Sequence, residues 1–236
     1  MKSKRFFFGS GALLTAAVFT LVFLLSFSAC QKEPKTMLMY QGRSSLRLIS
    51  KEGTVVYVDP YIGDGYNVPA DIILVTHGHD DHNRVNMVTK KDDCVIFSYF
   101  HALKDGAHGS AIIKDIEIKS VEAYNGNHNI KDSVGFIITI DGIKVYAAGD
   151  TDMTEQMKTL AAENIDYAFL PCDGRFNMGP EEAAECAKII GAKHNIPYHT
   201  SQEFPGGSFD KDNAERFNAP NRLILEPGTE IALKQL

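Results

Sequence analysis

Cysteine is scarce in this 236-residue chain, four in all, and one of them, Cys30, falls in an N-terminal segment unlike the rest. The remaining three, Cys94, Cys172 and Cys186, are an odd number, which excludes a complete disulfide framework as the source of stability. Spacing permits a Cys172–Cys186 pair without requiring it. Basic residues are also in deficit: 24 Lys and Arg stand against 30 Asp and Glu, for a formal charge of −6. Avid nucleic-acid binding depends on Lys and Arg to neutralise phosphates, so nucleic acid is not an expected partner. No internal repeat and no low-complexity tract occurs, which argues against repeat architectures. What remains is a chain with 44% hydrophobic residues, long enough to bury one substantial core as a single domain.

The long uncharged apolar run is at the N-terminus. Lys2, Lys4 and Arg5 precede an apolar stretch from about Phe6 to Ala29, the pattern of a signal segment rather than of a folded element. It ends in Ser26-Phe27-Ser28-Ala29-Cys30, small residues before a cysteine that resemble a bacterial lipoprotein processing site. The expected organisation is a lipoprotein-type signal peptide over 1–29, a tether over 30–36 and one folded domain over 37–236. Cys30 becomes the lipidated first residue of the mature protein, held to a membrane on the periplasmic or outer surface of the cell. An uncleaved anchor, or ordinary cleavage leaving a free Cys30, are the alternatives; in all three the domain is exported. Loss of 1–29 removes three basic and no acidic residues, leaving 21 against 30 and a formal charge of −9.

Chemistry concentrates in six residues, His77-Gly78-His79-Asp80-Asp81-His82, directly after the apolar run Ile72 to Val75. That run reads as a short buried strand, so the imidazoles and carboxylates begin where a strand ends. Those side chains are the usual ligands of zinc and related divalent ions, and three of the chain's eight histidines lie here. His77 and His79 suit one ion as an alternating pair, and Asp81 and His82 a second. Two adjacent ions need more ligands than one loop supplies. His128 precedes the strand-like run Val134–Ile140, Asp141-Gly142 marks a hairpin, and the return strand ends in Gly149-Asp150. His199 follows another extended stretch. Taken singly, Asp150 could cap a helix and His199 could be a core histidine; beside a loop short of ligands, both become candidates.

The run His77-x-His79-x-Asp81-His82, with His128, Asp150 in GDTD and His199, resembles the metallo-β-lactamase superfamily. More narrowly, THGHDDH, VYAAGDTD, MGPEEAA and IPYH are similar to its branch of small metal-dependent hydrolases related to ascorbate-6-phosphate lactonase. The likeness implies an α+β fold, a four-layer αββα sandwich with the site at one edge between two sheets. It implies that His77, His79 and His128 hold one ion, that Asp81, His82 and His199 hold a second, and that Asp150 bridges them. His101 and His108 are the alternatives for the third histidine. Two branch motifs are altered: Gly-His-Ser becomes Gly42-Arg43-Ser44, and Gly-His-Phe becomes Gly174-Arg175-Phe176.

The reaction that follows is hydrolysis of an ester, lactone, amide or phosphodiester of a small-molecule substrate. A hydroxide bridging two divalent ions serves as nucleophile, zinc foremost, with manganese or iron accepted by the same donors. Asp81 is the expected catalytic residue, orienting that hydroxide. Asp59, after the strand-like Val55–Val58, is a candidate to orient a ligand histidine, and Asn125 and Arg175 to touch substrate. Cys172 lies close to the site in sequence context but is superfluous to a filled ligand set. Two other readings are a di-iron redox protein of the same fold and a non-catalytic metal-binding surface lipoprotein. Strands are expected near 44–49, 54–59, 71–76, 94–99, 111–119, 134–140, 143–148, 166–170, 193–197, 222–226 and 229–233. Helices are expected near 82–91, 153–162 and 180–190, the last opened by Pro180 and closed by Gly191.

Overall fold

The computed structural model describes Met1 and residues 33–236. The expected signal segment, Cys30 and the first residues of the expected tether lie outside the described residues, and a compact unit runs from Pro34 to Leu236. Its elements in chain order are β1 (Met37–Gly42), β2 (Ser45–Ile49), β3 (Val55–Val58), β4 (Ala70–Val75), β5 (Lys90–Ser98), α1 (Tyr99–Ala102), β6 (Leu103–Lys104), β7 (Ala107–His108), β8 (Ser110–Ile113), β9 (Ile116–Glu122), β10 (Val134–Ile140), β11 (Ile143–Ala147), a 3-10 helix (Glu155–Glu163), β12 (Tyr167–Pro171), α2 (Pro180–Ile190), β13 (His194–Tyr198), α3 (Lys211–Arg216) and β14 (Glu230–Ala232).

Two six-stranded sheets carry the fold, ordered β14-β1-β2-β3-β4-β5 and β13-β12-β11-β10-β9-β8. Their facing sides interdigitate Leu46, Leu48, Val56, Val58, Ile72 and Leu74 from the first with Val134, Phe136, Ile138, Val145, Phe169 and Ile196 from the second. Every residue of β4 is buried, as a near-continuous apolar strand paired in parallel on both sides demands. By contrast β9 alternates, with Ile116 and Ile118 buried and Glu117 and Lys119 exposed, since one face meets water. Asp141 (φ 52°) and Gly142 (φ 79°) make the β10–β11 hairpin turn, both positions left-handed as a two-residue turn of that twist requires. The α+β sandwich is as the sequence led one to expect.

On the outer side of the second sheet, α2 buries Ala183, Ala184, Cys186, Ala187 and Ile190 against Ala168, Leu170 and Tyr146. Pro180 opens it and Gly191 (φ 67°) closes it. Ile189 is only half-buried. Two expected elements are absent among the described residues. The segment 82–89 is irregular chain, with Val85 and Val88 laid over Tyr57, Ile73 and Val75. Its two asparagines and three β-branched residues are poor helix formers, and β5 begins at Lys90. Near 222–226 only an isolated bridge, Asn195 to Arg222, forms. Cys94, Cys172 and Cys186 are free thiols.

The topology brings one edge of both sheets together. Strands β3 and β4 run parallel, as do β11, β12 and β13. Their carboxyl ends open onto a common crevice, the usual ligand position in parallel sheets. Asp59 follows β3, His77 follows β4, Asp150 follows β11, Asp173 follows β12 and His199 follows β13. Arg43 joins them from the start of the antiparallel β2.

Candidate metal centre

Sharp turns at strand ends set these side chains. Gly149 has φ 70°, and a Cβ there would lie 2.8 Å from the Val134 carbonyl oxygen, so only glycine lets the chain swing Asp150 into the crevice. Arg43 (φ 51°), Asp59 (φ 45°) and His199 (φ 43°) also have left-handed backbones. Such strain costs about 1–3 kcal/mol each and is concentrated at functional positions. At Arg43 and His199 the two strained segments brace each other, the His199 amide donating to the Arg43 carbonyl at 2.8 Å.

Ligand atoms of His77, His79 and His128 lie within 4.8 Å of one another, and so do those of His82, Asp150 and His199. Asp150 joins the two groups: Oδ1 is 3.2 Å from His82 Nε2, and Oδ2 is 3.4 Å from His199 Nε2 and 3.6 Å from His128 Nε2. Asp81 Oδ2 lies 3.8 Å from His199 Nε2. Thus all seven residues expected as ligands are brought to one place, and His128 rather than His101 or His108 completes the first group. His77 Nε2, His82 Nε2, His199 Nε2 and Asp150 Oδ1 are buried and make no aligned hydrogen bond, the 3.2 and 3.4 Å approaches between the imidazoles and Asp150 included. Four such orphans at one spot are costly in a protein interior unless a ligand satisfies them.

Each of three imidazoles is held from behind. His82 Nδ1 is 2.9 Å from Asp59 Oδ2, and Asp59 is itself pinned by the Thr76 amide (2.8 Å) and hydroxyl (2.7 Å). His199 Nδ1 is 3.0 Å from Asp173 Oδ2, an ion-pair contact rather than an aligned hydrogen bond, while Asp173 Oδ1 accepts from the amides of Arg175 (2.7 Å) and Phe176 (2.6 Å). His128 Nδ1 donates to Asn125 Oδ1 at 2.8 Å. Carboxylate or amide partners of this kind fix the tautomer and leave Nε2 free for a metal. Asn125 is therefore placed to orient a histidine, not to meet substrate. Asp173 was not anticipated from the sequence, although its position just past a parallel strand is the same signal that marks Asp59 and Asp150.

Charge is unbalanced in the direction a cation would correct. Asp59, Asp81, Asp150 and Asp173 are all buried, against the single guanidinium of Arg43. Burial alone would lower His82, yet Asp150 and then Asp59 outweigh it and raise its pKa well above the imidazole range. Likewise burial opposes a charge on His199, and Asp150 with Asp173 overcomes it. His77, with more imidazoles than carboxylates around it, is pushed down by burial first and His82 second. The donor set of imidazoles and carboxylates suits zinc, manganese or iron.

Beside these ligands lies a cavity of about 360 Å³, lined by Arg43, His79, Asp81, His128, Phe176 and Phe204 among others. Arg175 does not reach it. Its guanidinium donates to the Gln202 carbonyl (3.0 Å) and lies 4.8 Å over the Phe176 ring, so the loop's own backbone and aromatic face absorb it. Cys172 is fully buried and packs with Leu170 and Met178.

The model of the beta-lactamase superfamily domain matches residues 37–199. The chain belongs to the metallo-β-lactamase superfamily. It is a metal-dependent hydrolase of that fold, similar to the UPF0173 metal-dependent hydrolase of Listeria innocua (31% identity over 190 residues, 68% of this chain and 83% of the relative). A second relative of that kind, from Geobacillus, is 32% identical over 192 residues, 68% of this chain and 83% of its own length. In three dimensions the superfamily member superimposes on Igni18, a metallo hydrolase of Ignicoccus hospitalis, with a TM-score of 0.69 over 86% of this chain and 100% of that one, at 20% identity. That last likeness concerns the fold alone.

Proposed function

We propose that this protein is an exported, membrane-tethered hydrolase that holds two divalent cations and cleaves an ester, lactone, amide or phosphodiester of a small molecule. One observation carries the reading: the buried, partnerless nitrogens and oxygen that converge from His77, His82, His199 and Asp150. His77, His79 and His128 would hold one cation, Asp81, His82 and His199 the other, with Asp150 between them. Zinc is the leading candidate, with manganese and iron suited to the same donors. Two cations bound there would bring the pKa of water towards neutrality and polarise a carbonyl or phosphoryl oxygen.

The chain's own residues do the rest. Asp59, Asp173 and Asn125 keep three imidazoles in one tautomer, so that Nε2 stays available. Asp81 lines the cavity and accepts a hydrogen bond from the attacking water, fixing its direction. Phe176 and Phe204 wall the cavity with apolar surface and thin the water around the reacting bond. Similarity of the MGPEEAA and IPYH segments to the lactonase-related branch favours an ester or lactone. Arg43 and Arg175, standing where that branch has histidines, argue against adopting its particular substrate. Export rests on the basic-then-apolar leader, and tethering on lipidation of Cys30.

The test is elemental analysis of the purified protein together with a hydrolase screen of wild type and Asp81→Ala. About two metals per chain are expected, with activity abolished by chelation and restored by zinc or manganese. Asp81→Ala should lower kcat/KM by about 100-fold or more, through loss of an orienting contact. Fully metal-loaded protein inert towards all four bond types would refute the hydrolytic reading.

A further inference from the structure

Arg43 is the site's unexplained residue. It is 2% exposed, has a left-handed backbone, and still lines the cavity. A guanidinium carries five N–H donors in a fixed plane. Here Nε gives its one to Asp81 Oδ2 at 2.7 Å. The Nη1 donors are taken up by the carbonyls of Glu203 (3.1 Å), Ser201 (3.4 Å) and Gly207 (3.4 Å). Nη2 makes no hydrogen bond with any described residue, leaving two donors unspent on a residue that is otherwise enclosed. The guanidinium carbon lies 5.7 Å from the Phe176 ring centre and 5.5 Å from that of Phe204. Those rings meet edge to face at 6.5 Å and hold the guanidinium plane in place.

A structural role accounts for Nε and Nη1, which tie β2 to the loop 201–207 and steady Asp81. It does not account for Nη2. Nη2 is not among the side-chain atoms shut off from solvent, so its two donors open to the cavity that Arg43 lines, where a charged donor suits a carboxylate or phosphate oxygen. We propose that Arg43 anchors the substrate: its Nη2 edge receives an anionic oxygen group, carboxylate or phosphate, that the substrate carries close to the bond being cleaved. The assignment rests on the hydrolytic reading above and narrows it from small esters, lactones, amides and phosphodiesters to those bearing such a group. Asp80, which also lines the cavity, is turned to Arg84 at 2.5 Å and does not compete for Arg43.

Three p-nitrophenyl esters that differ only in the end of the acyl chain (methyl, carboxylate or phosphate) test this on the metal-loaded protein. Wild type should prefer one or both anionic esters by about tenfold or more, chiefly through KM, as the loss of a charged hydrogen bond implies. In Arg43→Met that preference should vanish, whatever happens to the common rate. In Arg43→Lys it should return only in part, since an ammonium lacks the planar edge. Which anionic ester gains identifies carboxylate or phosphate. Arg175→Met should leave the preference intact. Inorganic phosphate, titrated calorimetrically at matched metal content, should bind Arg43→Met about tenfold more weakly than wild type. An unchanged preference and unchanged phosphate affinity in Arg43→Met at wild-type metal content would overturn the assignment, as would transfer of the effect to Arg175→Met. If no ester is turned over while the phosphate difference persists, the hydrolytic reading fails and the anion site stands. If Arg43→Met does not fold, the Arg43→Lys comparison decides.

Discussion

At the scale of single residues, the centre is built twice over, once by the atoms that face inward and again by those behind them. The inward set was legible in the sequence because its members are chemically distinctive and all but His128, which precedes one, follow a strand. The set behind was legible only in part. Asp59 stood out before Pro60, whereas Asp173 sits in a loop whose role depends on β12 and β13 being neighbours, a fact that spacing along the chain does not carry. Arg43 was visible as a departure from a motif, but its contacts with residues 158 to 164 positions away could not be read locally. The supporting carboxylates give a sharp expectation. Asp59→Asn and Asp173→Asn should each weaken metal binding about 10- to 100-fold, because the imidazole loses its charged partner and its fixed tautomer. Competition with a chelator of known affinity measures this directly, and an effect below about twofold in both variants would remove the supporting role.

Elements were readable where one periodicity dominated and unreadable where packing decided. The Pro180–Ile190 helix declares itself through its opening proline, its acidic first turn and its closing glycine. Residues 82–91 instead have a mixed pattern, and the chain there is shaped by the outer face of β3 and β4 that it must cover. One buried group ties those strands together. Asp71 accepts from the Val55 amide (2.9 Å) and Lys91 Nζ (2.7 Å) and also pairs with Lys114. Burial alone would raise its carboxyl pKa, but the Lys114 and Lys91 hydrogen bonds outweigh it and hold it below the ordinary 3.8. A carboxylate with a depressed folded-state pKa stabilises the fold above its unfolded value, and the gain is lost as pH falls through the folded one. Asp71→Asn should therefore cost about 1–3 kcal/mol at pH 7, the worth of hydrogen bonds to a charged group. In urea titrations from pH 7 to pH 3, the gap between variant and wild type should stay constant to about pH 4 and then narrow. A gap that widens on acidification would contradict the assignment.

For the molecule as a whole, two sheets with parallel strands ending at a shared edge turn five strand ends into one site. The sandwich and its core were recoverable from hydrophobic periodicity and from likeness to a superfamily. The meeting of Asp150 with three histidines from separate segments, His82, His128 and His199, was not recoverable from the residues alone, because register between distant strands is a property of the packed sheets. Asp150 is where the two ligand groups join, and everything claimed for catalysis depends on cations flanking it. An anomalous-difference map from crystals grown with zinc, recorded on either side of the zinc absorption edge, measures this directly. Two peaks are expected, one among His77, His79 and His128 and one among Asp81, His82 and His199, with Asp150 between them. No peak at Asp150, or peaks confined to other parts of the surface, would contradict it.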